Sequence, residues 1–332
     1  MNVRAPGHAA VHSVVVSFNP DPEHLAALVA AVAPQVDRVF VVDNGSAADV
    51  AQLLHGISRV EVVPLGRNFG IAYAQNVGLQ RALAGGAQFV LLLDDDSLPS
   101  ASMVSDLLGA FAAGSANGEA GRVAAVGPTT VDLRTGHASY FWCSDPRRPY
   151  RWTPSGGEGA GSCVQVEFLI ASGTLLCGDA VRAVGGMRSE YFIDQVDTEW
   201  CFRAKAAGFR ILGAPAARLQ HRLGDRVRTV WFLRRRRVME HSALRDYYMF
   251  RNTLLMLRDT PFPRFWALHF LGRLFQFFGY GLLLAGGRMN RLRLMTLGLV
   301  HGARGRTGRL DAPTSTRESI PATDLDPPLA CR

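Results

Sequence analysis

Apolar runs of strand length alternate with helical stretches over the first third of the chain. Apolar runs occupy positions 11–18, 38–43, 59–64 and 89–93, the first of them rich in β-branched residues, and stretches with helical periodicity occupy 23–36 and 71–84. Strands that alternate with helices in this way predict right-handed β-α-β units, in which neighbouring strands run parallel. We therefore predict an α/β fold with a mainly parallel central sheet that is flanked by helices.

The pattern loosens in the middle of the chain. We predict a helix over 100–113, strands over 123–126, 164–170 and 209–212, and a short helix over 179–184. The stretch 128–161 is rich in aromatic residues, prolines and glycines, and we predict that it is a mobile loop over a site.

Three carboxylates follow the fourth apolar run directly. That run is apolar at successive positions, which is typical of a strand buried on both faces, and it ends in Asp94, Asp95 and Asp96. Adjacent carboxylates repel one another, and a divalent cation or a hydroxyl-rich ligand would offset the repulsion. The alternative is that the acids only begin the next helix, because Asp-Ser-Leu-Pro at 96–99 also fits a helix start.

Polar side chains also follow the other predicted strands. Ser17 and Asn19 lie at the end of the first strand and Asp43 at the end of the second. In a parallel sheet these groups and the acidic triplet would meet at one edge, where open α/β sheets bind their ligands. The layout is that of a nucleotide site. The chain has no Gly-x-Gly-x-x-Gly after the first strand and no Walker loop, so neither a dinucleotide-binding fold nor a P-loop is supported.

A second group of acids stands near the middle of the chain. Asp197 is predicted to cap a helix whose first turn holds Glu199 and which ends at Gly208. Asp194 precedes this helix, and His221 follows the next strand in a predicted loop. Capping alone would explain Asp197, and a lone histidine in a loop is usually a surface residue.

Arginine is concentrated in the second half of the chain. The 332 residues carry a formal net charge of +8, and the stretch 203–309 is rich in arginine. Such a face would meet anionic lipid, phosphate groups or nucleic acid, although Lys205 is the only lysine and arginine is therefore the default cation throughout. The five cysteines are odd in number and lack metal-site spacing, which predicts reduced thiols in a cytosolic protein. We expect no signal peptide, because no long apolar segment follows a charged N-terminus.

The C-terminal third combines helical periodicity with arginines and aromatic residues. Helices are predicted over 242–258 and 264–285, and the second is interrupted by His269, Arg273 and Gln276 although it approaches membrane-spanning length. We predict helices that lie on a bilayer surface, with arginines towards the headgroups. The alternative is a helical layer that only covers the sheet.

Seven short motifs stand in order along the chain. They are Val-Asp-Asn-Gly-Ser at 42–46, Asn-x-Gly-x-Ala-x-x-x-Asn-x-Gly at 68–78, Asp-x-Asp-Ser at 94–97, Ser-Gly-x-Leu at 172–175, Asp-x-x-Asp-x-Glu-Trp-Cys-x-Arg-Ala at 194–204, His-x-x-Gly-Asp at 221–225 and Arg-x-Tyr-Tyr-x-x-Arg-Asn at 245–252. Their order and spacing resemble those of the inverting GT-A glycosyltransferases of family 2, in particular the bacterial rhamnosyltransferase branch. The resemblance runs along nearly the whole chain.

The resemblance implies a GT-A fold, which is that of nucleotide-diphospho-sugar transferases, and a metal-dependent transfer that inverts the sugar. It implies that Asp94 and Asp96 hold Mn²⁺ or Mg²⁺ and that His221 completes the ligands, although Asp94 would also reach the ribose. A cation there stabilises the charge that the leaving diphosphate gains.

The resemblance also implies which residues surround the substrates. The residues expected at the donor nucleotide are Ser17, Asn19, Asp43, Arg67, Asn68, Asp94 and Asp95, and those expected at the sugar or acceptor are Ser172, Gly173 and Trp200. Asp43 would accept a hydrogen bond from a pyrimidine N3–H. Arg67 would pair with the base or the phosphates, unless it is only a surface charge.

Inversion requires a base on the face of the sugar opposite the diphosphate, and a carboxylate suits this role. By its position in the family motif Asp197 is the predicted base, and Asp194 is the rival. Glu199 is predicted to orient Arg203, four residues further along the helix.

The family branch implies that the enzyme moves L-rhamnose from dTDP-L-rhamnose to a hydroxyl of a lipid-linked or polysaccharide acceptor in cell-envelope glycan synthesis. Asp95 stands where rhamnosyltransferases often have glutamine, so a UDP-sugar such as UDP-galactofuranose stays open as the donor. Two rivals are a nucleotidyltransferase, which normally needs a glycine-rich basic loop after the first strand, and a non-catalytic protein that binds anionic lipid or nucleic acid.

We expect a catalytic domain over 1–225, a basic and amphipathic helical region over 226–306 and a disordered tail over 307–332. The expected partners are the nucleotide-sugar donor, a lipid-linked acceptor and an anionic membrane surface, and we expect no nucleic acid. The expected location is cytoplasmic, on the inner face of the bacterial plasma membrane. The sequence fixes neither the acceptor linkage nor the oligomeric state.

Overall fold

A mixed sheet with parallel strands at its centre organises the fold. The computed structural model describes residues 9–116, 121–132, 136–159, 161–221, 226–232, 234–240, 242–283, 286–310 and 323–326, with the backbone alone described for 226–240. The strands are β1 (Val11–Ser17), β2 (Arg38–Asp43), β3 (Val60–Pro64), β4 (Phe89–Asp94), β5 (Ser97–Pro99), β6 (Val123–Asp132), β7 (Phe141–Ser144), β8 (Pro149–Trp152), β9 (Val164–Gln165), β10 (Leu175–Cys177), β11 (Arg210–His221), β12 (Arg226–Phe232) and β13 (Arg234–Glu240). The helices are α1 (Pro22–Val32), α2 (Val50–Leu53), α3 (Ile71–Ala84), α4 (Met103–Ala116), α5 (Gly178–Val184), α6 (Val196–Ala206), α7 (Ala243–Asp259), α8 (Arg264–Leu283) and α9 (Arg288–Ala303).

The order of the strands matches the predicted β-α-β units. Across the described residues the sheet runs β3-β2-β1-β4-β10-β6-β11-β5, and β9 pairs with β11. Strands β1 to β4 are parallel to one another, whereas β10 runs antiparallel to both of its neighbours. The predicted α/β class with a mainly parallel sheet is confirmed.

The apolar strand runs supply two cores, one on each face of the sheet. Val14 and Leu92 belong to the core cluster on one face, and Val15 and Leu93 belong to the cluster on the other. Helix α3 lies very close to β1, because a β-carbon at Gly78 would stand 2.2 Å from the Val14 side chain. Burial on both faces explains why these strands are apolar at successive positions.

The carboxyl ends of the parallel strands meet as predicted. Ser17 stands opposite Asp43 in the β1–β2 register, and Val16 stands opposite Asp94 in the β1–β4 register. Polar groups from the ends of three strands are therefore delivered to one edge of the sheet.

The segment predicted as a mobile loop over 128–161 contains the end of β6 and a β-hairpin. β6 extends to Asp132, and β7 and β8 form an antiparallel hairpin. Trp142 of this hairpin packs against His269 and Trp266 of α8, with ring centroids 4.7 and 5.9 Å apart. The aromatic residues that suggested irregular structure form instead an aromatic contact with a distant helix.

The C-terminal helices pack on the sheet domain. Trp266 and Phe270 of α8 belong to the same core cluster as the strands, and Tyr247 of α7 bonds His301 of α9 at 2.9 Å. The start of the predicted helical region is different, because residues 226–232 and 234–240 form the paired strands β12 and β13. Within the described residues, none of the helices has the length and apolarity that crossing a membrane would require.

Two parts of the predicted disordered tail contact the domain. Leu310 donates its backbone N–H to the Tyr248 hydroxyl at 3.0 Å. Asp326 accepts hydrogen bonds from Asn76 at 2.9 Å and Ser189 at 2.5 Å. Residues 307–310 and 323–326 are the described parts of this tail, and its other residues lie outside the described part of the chain.

Candidate active site

A cleft of about 620 Å³ opens at the carboxyl edge of the sheet. Its floor is formed by the ends of β1 and β4, and its walls by the loop before α6 and by α7 and α8. The predicted residues that line it are Asn68, Asp94, Asp95, Asp96, Asp194, Asp197 and His221. The acids after β4 and the acids around α6 therefore share one cavity, although about 100 residues separate them in sequence.

The three consecutive aspartates have different partners. The backbone N–H of Asp94 donates to the Ser172 hydroxyl at 3.2 Å, and the Asp95 carboxylate accepts the Phe18 N–H at 2.9 Å. Asp96 bonds the Nδ1 atom of His221 at 3.0 Å. The acids do not cap a following helix, because β5 comes next and α4 begins only at Met103.

The surroundings of this cluster disfavour the ionised form of Asp94. Burial, helped by the charges of Asp96 and Asp95, raises the pKa of Asp94 to about 7 against the opposing effect of His221. Burial by itself would lower the pKa of His221, but the hydrogen bond and charge of Asp96 outweigh it and raise that pKa. The site thus holds more negative charge than its surroundings stabilise.

These residues fit a divalent cation. Ligand atoms of Asp94, Asp96 and His221 all lie within 4.8 Å of one another. Carboxylate oxygens are hard ligands that suit Mg²⁺ and Mn²⁺, and an imidazole suits Mn²⁺ better than Mg²⁺. A cation would also relieve the repulsion that raises the pKa of Asp94.

His221 is the last residue of a strand and not a loop residue as predicted. β11 continues from Arg210 to His221 through a register shift between Ala214 and Arg218, where it pairs with β6. The ring is buried and its Nδ1 atom also bonds the Ser97 hydroxyl at 3.0 Å. The irregular register allows one long strand to reach from the core to the cleft.

Asp197 lies in the first turn of α6 but does not cap it. The residue at the cap position is Gln195, whose side chain makes no capping hydrogen bond. The Asp197 carboxylate instead accepts the N–H groups of Thr198 at 2.7 Å and Ala171 at 3.1 Å. Burial raises the pKa of Asp197, although these two backbone donors oppose the shift.

The loop before α6 has an unusual backbone. Phe192, Asp194 and Gln195 all have φ between 63° and 67°, which side-chain-bearing residues rarely adopt. Asn252 of α7 stabilises this shape by donating to the carbonyls of Tyr191, Ile193 and Asp194 at 2.7–3.0 Å. The Arg-Asn pair that closes the last sequence motif therefore shapes a wall of the cleft.

Asp194, the rival base, is held by an arginine. The guanidinium of Arg245 donates to both of its carboxylate oxygens, at 2.6 and 3.4 Å. This two-pronged pairing fixes the orientation of the Asp194 carboxylate against α7. Among the described residues, the hydrogen-bond donors to the Asp197 carboxylate are two backbone N–H groups and the Thr198 hydroxyl at 3.4 Å, and none of them is an arginine.

Glu199 and Trp200 face away from the cleft. Glu199 is fully buried between Arg188 and Arg203, at 2.9 Å from each, and Arg203 also donates to two backbone carbonyls. The contact between Glu199 and Arg203 is the predicted one, but it stabilises the segment around Gly185. Trp200 was expected at the sugar or acceptor, yet its indole donates to the Gly185 carbonyl in the core.

The remaining donor candidates surround the cleft without lining it. Asp43 accepts the Ser46 N–H at 2.9 Å, and Asn19 accepts the Ala47 N–H at 2.9 Å, so both order the loop after β2. Ser17 is buried, and Arg67 stacks on Phe69 at 4.5 Å. Ser172 and Gly173 lie beneath the acids, where Ser172 bonds Ser97 at 2.5 Å and Gly173 has a φ of 85°.

Several residues of the cleft were missed by the sequence reasoning. Phe168 and Phe192 line it from two loops, and Arg245 and Arg273 line it from α7 and α8. Arg245 opens the last of the seven motifs, which could have indicated it. Arg273 was noted only as an interruption of an apolar run.

The arrangement of the sheet and its helices is a GT-A-like α/β fold. The solved structure of S. aureus TarS 1–349 in complex with UDP-GlcNAc superposes with a TM-score of 0.56 over 88% of this chain and 81% of that one, at 15% identity. GalNAc-T7 with UDP, GalNAc and Mn²⁺ superposes with a TM-score of 0.51 over 65% of this chain, and this chain spans 44% of it, also at 15% identity.

Sequence comparison gives the family. The model of glycosyl transferase family 2 matches residues 13–169. The dTDP-rhamnosyl transferase RfbF of Shigella flexneri is 31% identical over 253 residues, which are 76% of this chain and 81% of that protein. The chain therefore belongs to glycosyl transferase family 2 and is a glycosyltransferase, as the seven motifs predicted.

Proposed function

We propose that this enzyme transfers L-rhamnose from dTDP-L-rhamnose to a hydroxyl of a lipid-linked or polysaccharide acceptor, with inversion at the anomeric carbon. The observation that carries the proposal is the placement of Asp96 and Asp197 in one cleft. Kinship to the Shigella rhamnosyl transferase supports the choice of donor. The two acids supply the two functions that inversion needs, one at the leaving group and one at the nucleophile.

Asp94, Asp96 and His221 would hold Mn²⁺ or Mg²⁺. When bound, the cation neutralises the negative charge that the leaving diphosphate gains. Asp95 is tied to the Phe18 N–H at the end of β1, which keeps this acid beside the nucleotide. Asn68 and Asn44 line the adjoining part of the cleft and bond one another at 3.2 Å. We assign the base of the nucleotide to this part, with Asp43 and Arg67 nearby.

Asp197 would accept the proton of the acceptor hydroxyl as the new glycosidic bond forms. The two backbone N–H groups fix the orientation of its carboxylate, and burial raises its pKa, so it is a stronger base than an exposed aspartate. Asp194 is paired with Arg245 and supports the wall.

The donor is tested by thermal shift with Mn²⁺. A ligand present at 100 times its dissociation constant stabilises the folded state by about 2.7 kcal/mol, which corresponds to a rise in Tm of about 5 °C. We expect this rise with dTDP-L-rhamnose and a smaller one with UDP-galactofuranose or UDP-GlcNAc at equal concentration. A larger rise with a UDP-sugar would move the assignment to that donor, and no rise with any nucleotide sugar would contradict the proposed function.

We also propose that the enzyme acts at the inner face of the bacterial plasma membrane. α8 presents an exposed apolar stripe, in which Phe275 is 81% and Leu268 is 70% accessible. Contiguous apolar surface of this kind marks an interaction site, and the arginine-rich surroundings favour anionic lipid.

Vesicle flotation tests this surface. The parent protein should float with vesicles that contain phosphatidylglycerol, whereas Phe275→Asp should remain at the bottom of the gradient because a charge would enter the acyl boundary. Leu53→Asp, which changes an exposed apolar residue on α2, is the control and should float like the parent. If neither the parent nor the control floated, membrane association would be contradicted.

A further inference from the structure

Helix α8 has two apolar faces, and one of them carries a charge. Phe270, Arg273, Leu274 and Phe277 recur at helical spacing of three and four residues and line the cleft. The exposed residues Leu268, Leu271 and Phe275 lie on the opposite side of the same helix. A single helix therefore separates the interior of the cleft from the outer apolar stripe, and Arg273 faces inward.

Arg273 lies in the cleft on the inner face of α8. Its guanidinium stands over the Phe277 ring at 5.5 Å, and among the described residues no carboxylate forms an ion pair with it. Burial lowers the pKa of Arg273, which shows that the cleft stabilises this cation poorly. Arg245 in the same cleft differs from Arg273, because it forms an ion pair with Asp194. An unpaired and partly buried guanidinium is a binding group for an anion.

A second arginine lies on the β7–β8 hairpin, whose Trp142 packs against His269, one helical turn before Arg273 on α8. Arg151 is exposed and stacks on the rings of Tyr140 at 4.5 Å and Trp142 at 5.1 Å. The two like charges act on each other, which is unfavourable unless an anion lies between or beside them. The surface beside this part of α8 is thus cationic and aromatic.

This cationic end is separate from the acidic end. Arg273 lies on α8 beside the β7–β8 hairpin, whereas the acids follow β4 or lie at the start of α6. The donor's diphosphate belongs at the acids, where the cation would be held. A second phosphate group is therefore needed to satisfy Arg273.

We propose that Arg273, assisted by Arg151, binds the diphosphate of a lipid-linked acceptor. This rests on the proposed function, because it names the chemical class of that function's acceptor. The apolar side chains of Phe270, Leu274 and Phe277 border the guanidinium and suit the first carbons of an alkyl chain. The acceptor's sugar would extend from this diphosphate towards Asp197. The donor and the acceptor thus enter from opposite ends of one cleft.

Titration of the full chain with farnesyl diphosphate tests the proposal. The experiment is done in EDTA and without a nucleotide sugar, so that binding at the acids through a metal does not contribute. We expect Arg273→Ala to weaken binding by about 10- to 100-fold, as expected for loss of a charge-assisted pair, and Arg273→Lys to weaken it less. Arg264→Ala removes the same charge from an exposed position of the same helix and should bind like the parent.

Further titrations and a flotation experiment distinguish the possible sources of the phosphate group. Inorganic pyrophosphate and farnesol should each bind more weakly than farnesyl diphosphate, because each supplies only one half of the ligand. Flotation with phosphatidylglycerol vesicles should be unchanged in Arg273→Ala, since the residue faces the cleft and not the bilayer. Equal loss of farnesyl diphosphate binding in Arg273→Ala and Arg264→Ala would overturn the assignment, and so would pyrophosphate binding as tight as that of farnesyl diphosphate.

The donor assay shows whether the variant is folded and keeps the two proposals apart. Arg273→Ala should retain the thermal shift with dTDP-L-rhamnose and Mn²⁺. Because farnesyl diphosphate binding needs neither donor nor metal, its failure leaves the donor assignment intact. Loss of the donor shift in Arg273→Ala would instead place Arg273 at the donor's diphosphate and overturn the acceptor site.

Discussion

Replacing Asp197 by asparagine is expected to lower kcat for sugar transfer by about 10²- to 10⁴-fold and to change donor binding by less than about threefold. The amide has nearly the same shape but cannot accept the proton of the acceptor hydroxyl. Donor binding depends on the acids after β4, which lie elsewhere in the cleft. Isothermal titration with donor and Mn²⁺ measures the binding, and product formation under saturating donor measures kcat.

The pH dependence of the transfer rate provides an independent test of the role of Asp197. Burial raises the pKa of Asp197 above its ordinary value of 3.8, and only the deprotonated form can act as the base. The rate of the parent enzyme should therefore fall as pH decreases through this raised pKa. The corresponding limb of the profile should be absent from the residual activity of Asp197→Asn.

Asp194→Asn is the matched control, because it makes the same chemical change three residues earlier in the same cleft. Loss of one charge there weakens the pair with Arg245, and we expect kcat to fall by less than about tenfold. If Asp194→Asn abolished transfer while Asp197→Asn retained it, the roles of the two acids would be exchanged. Equal loss of donor binding and rate in Asp197→Asn would remove it from the role of base.

The part of the site that follows from sheet geometry could be predicted from the sequence. A buried parallel strand has an apolar pattern, and its carboxyl end is marked by the first polar residues. Asp43 and Asp94 were located in this way, and their strands pair with β1 in register. The rule needs only local pattern and the handedness of β-α-β units, so it works without tertiary information.

Predictions that depended on the direction of a single side chain were less successful. Trp200 stands one helical turn after Asp197, yet it enters the core and bonds the Gly185 carbonyl. Asp197 has the sequence context of a helix cap, but α6 begins before it, so its carboxylate reaches back to Ala171. A shift of one or two residues in a helix boundary is enough to reverse such assignments.

Residues contributed by distant helices could not be assigned from pattern. Asn252 and Arg245 act on the loop before α6 from about 50 residues further along the chain. Arg273 reaches the cleft only because α8 packs its other inward residues, Trp266 and Phe270, into the core of the sheet domain. The sequence shows that α8 is amphipathic, but the partner of each face is decided by tertiary packing.

Replacing Asp96 by alanine is expected to abolish the Mn²⁺-dependent part of donor binding. Asp96 is one of three groups that would hold the cation, and it also bonds the His221 ring, so its removal disturbs two ligands at once. We expect the donor dissociation constant measured with Mn²⁺ to rise by about 100-fold or more.

The decisive measurement for Asp96 is a cycle of four titrations, with parent and Asp96→Ala each examined in Mn²⁺ and in EDTA. In EDTA the two proteins should bind the donor equally weakly, because the contribution of Asp96 is made through the cation. Asp95→Asn is the neighbouring control, since its carboxylate accepts the Phe18 N–H, and it should keep most of the Mn²⁺ effect. An equal Mn²⁺ effect in the parent and in Asp96→Ala would show that the cation, if any, is held elsewhere.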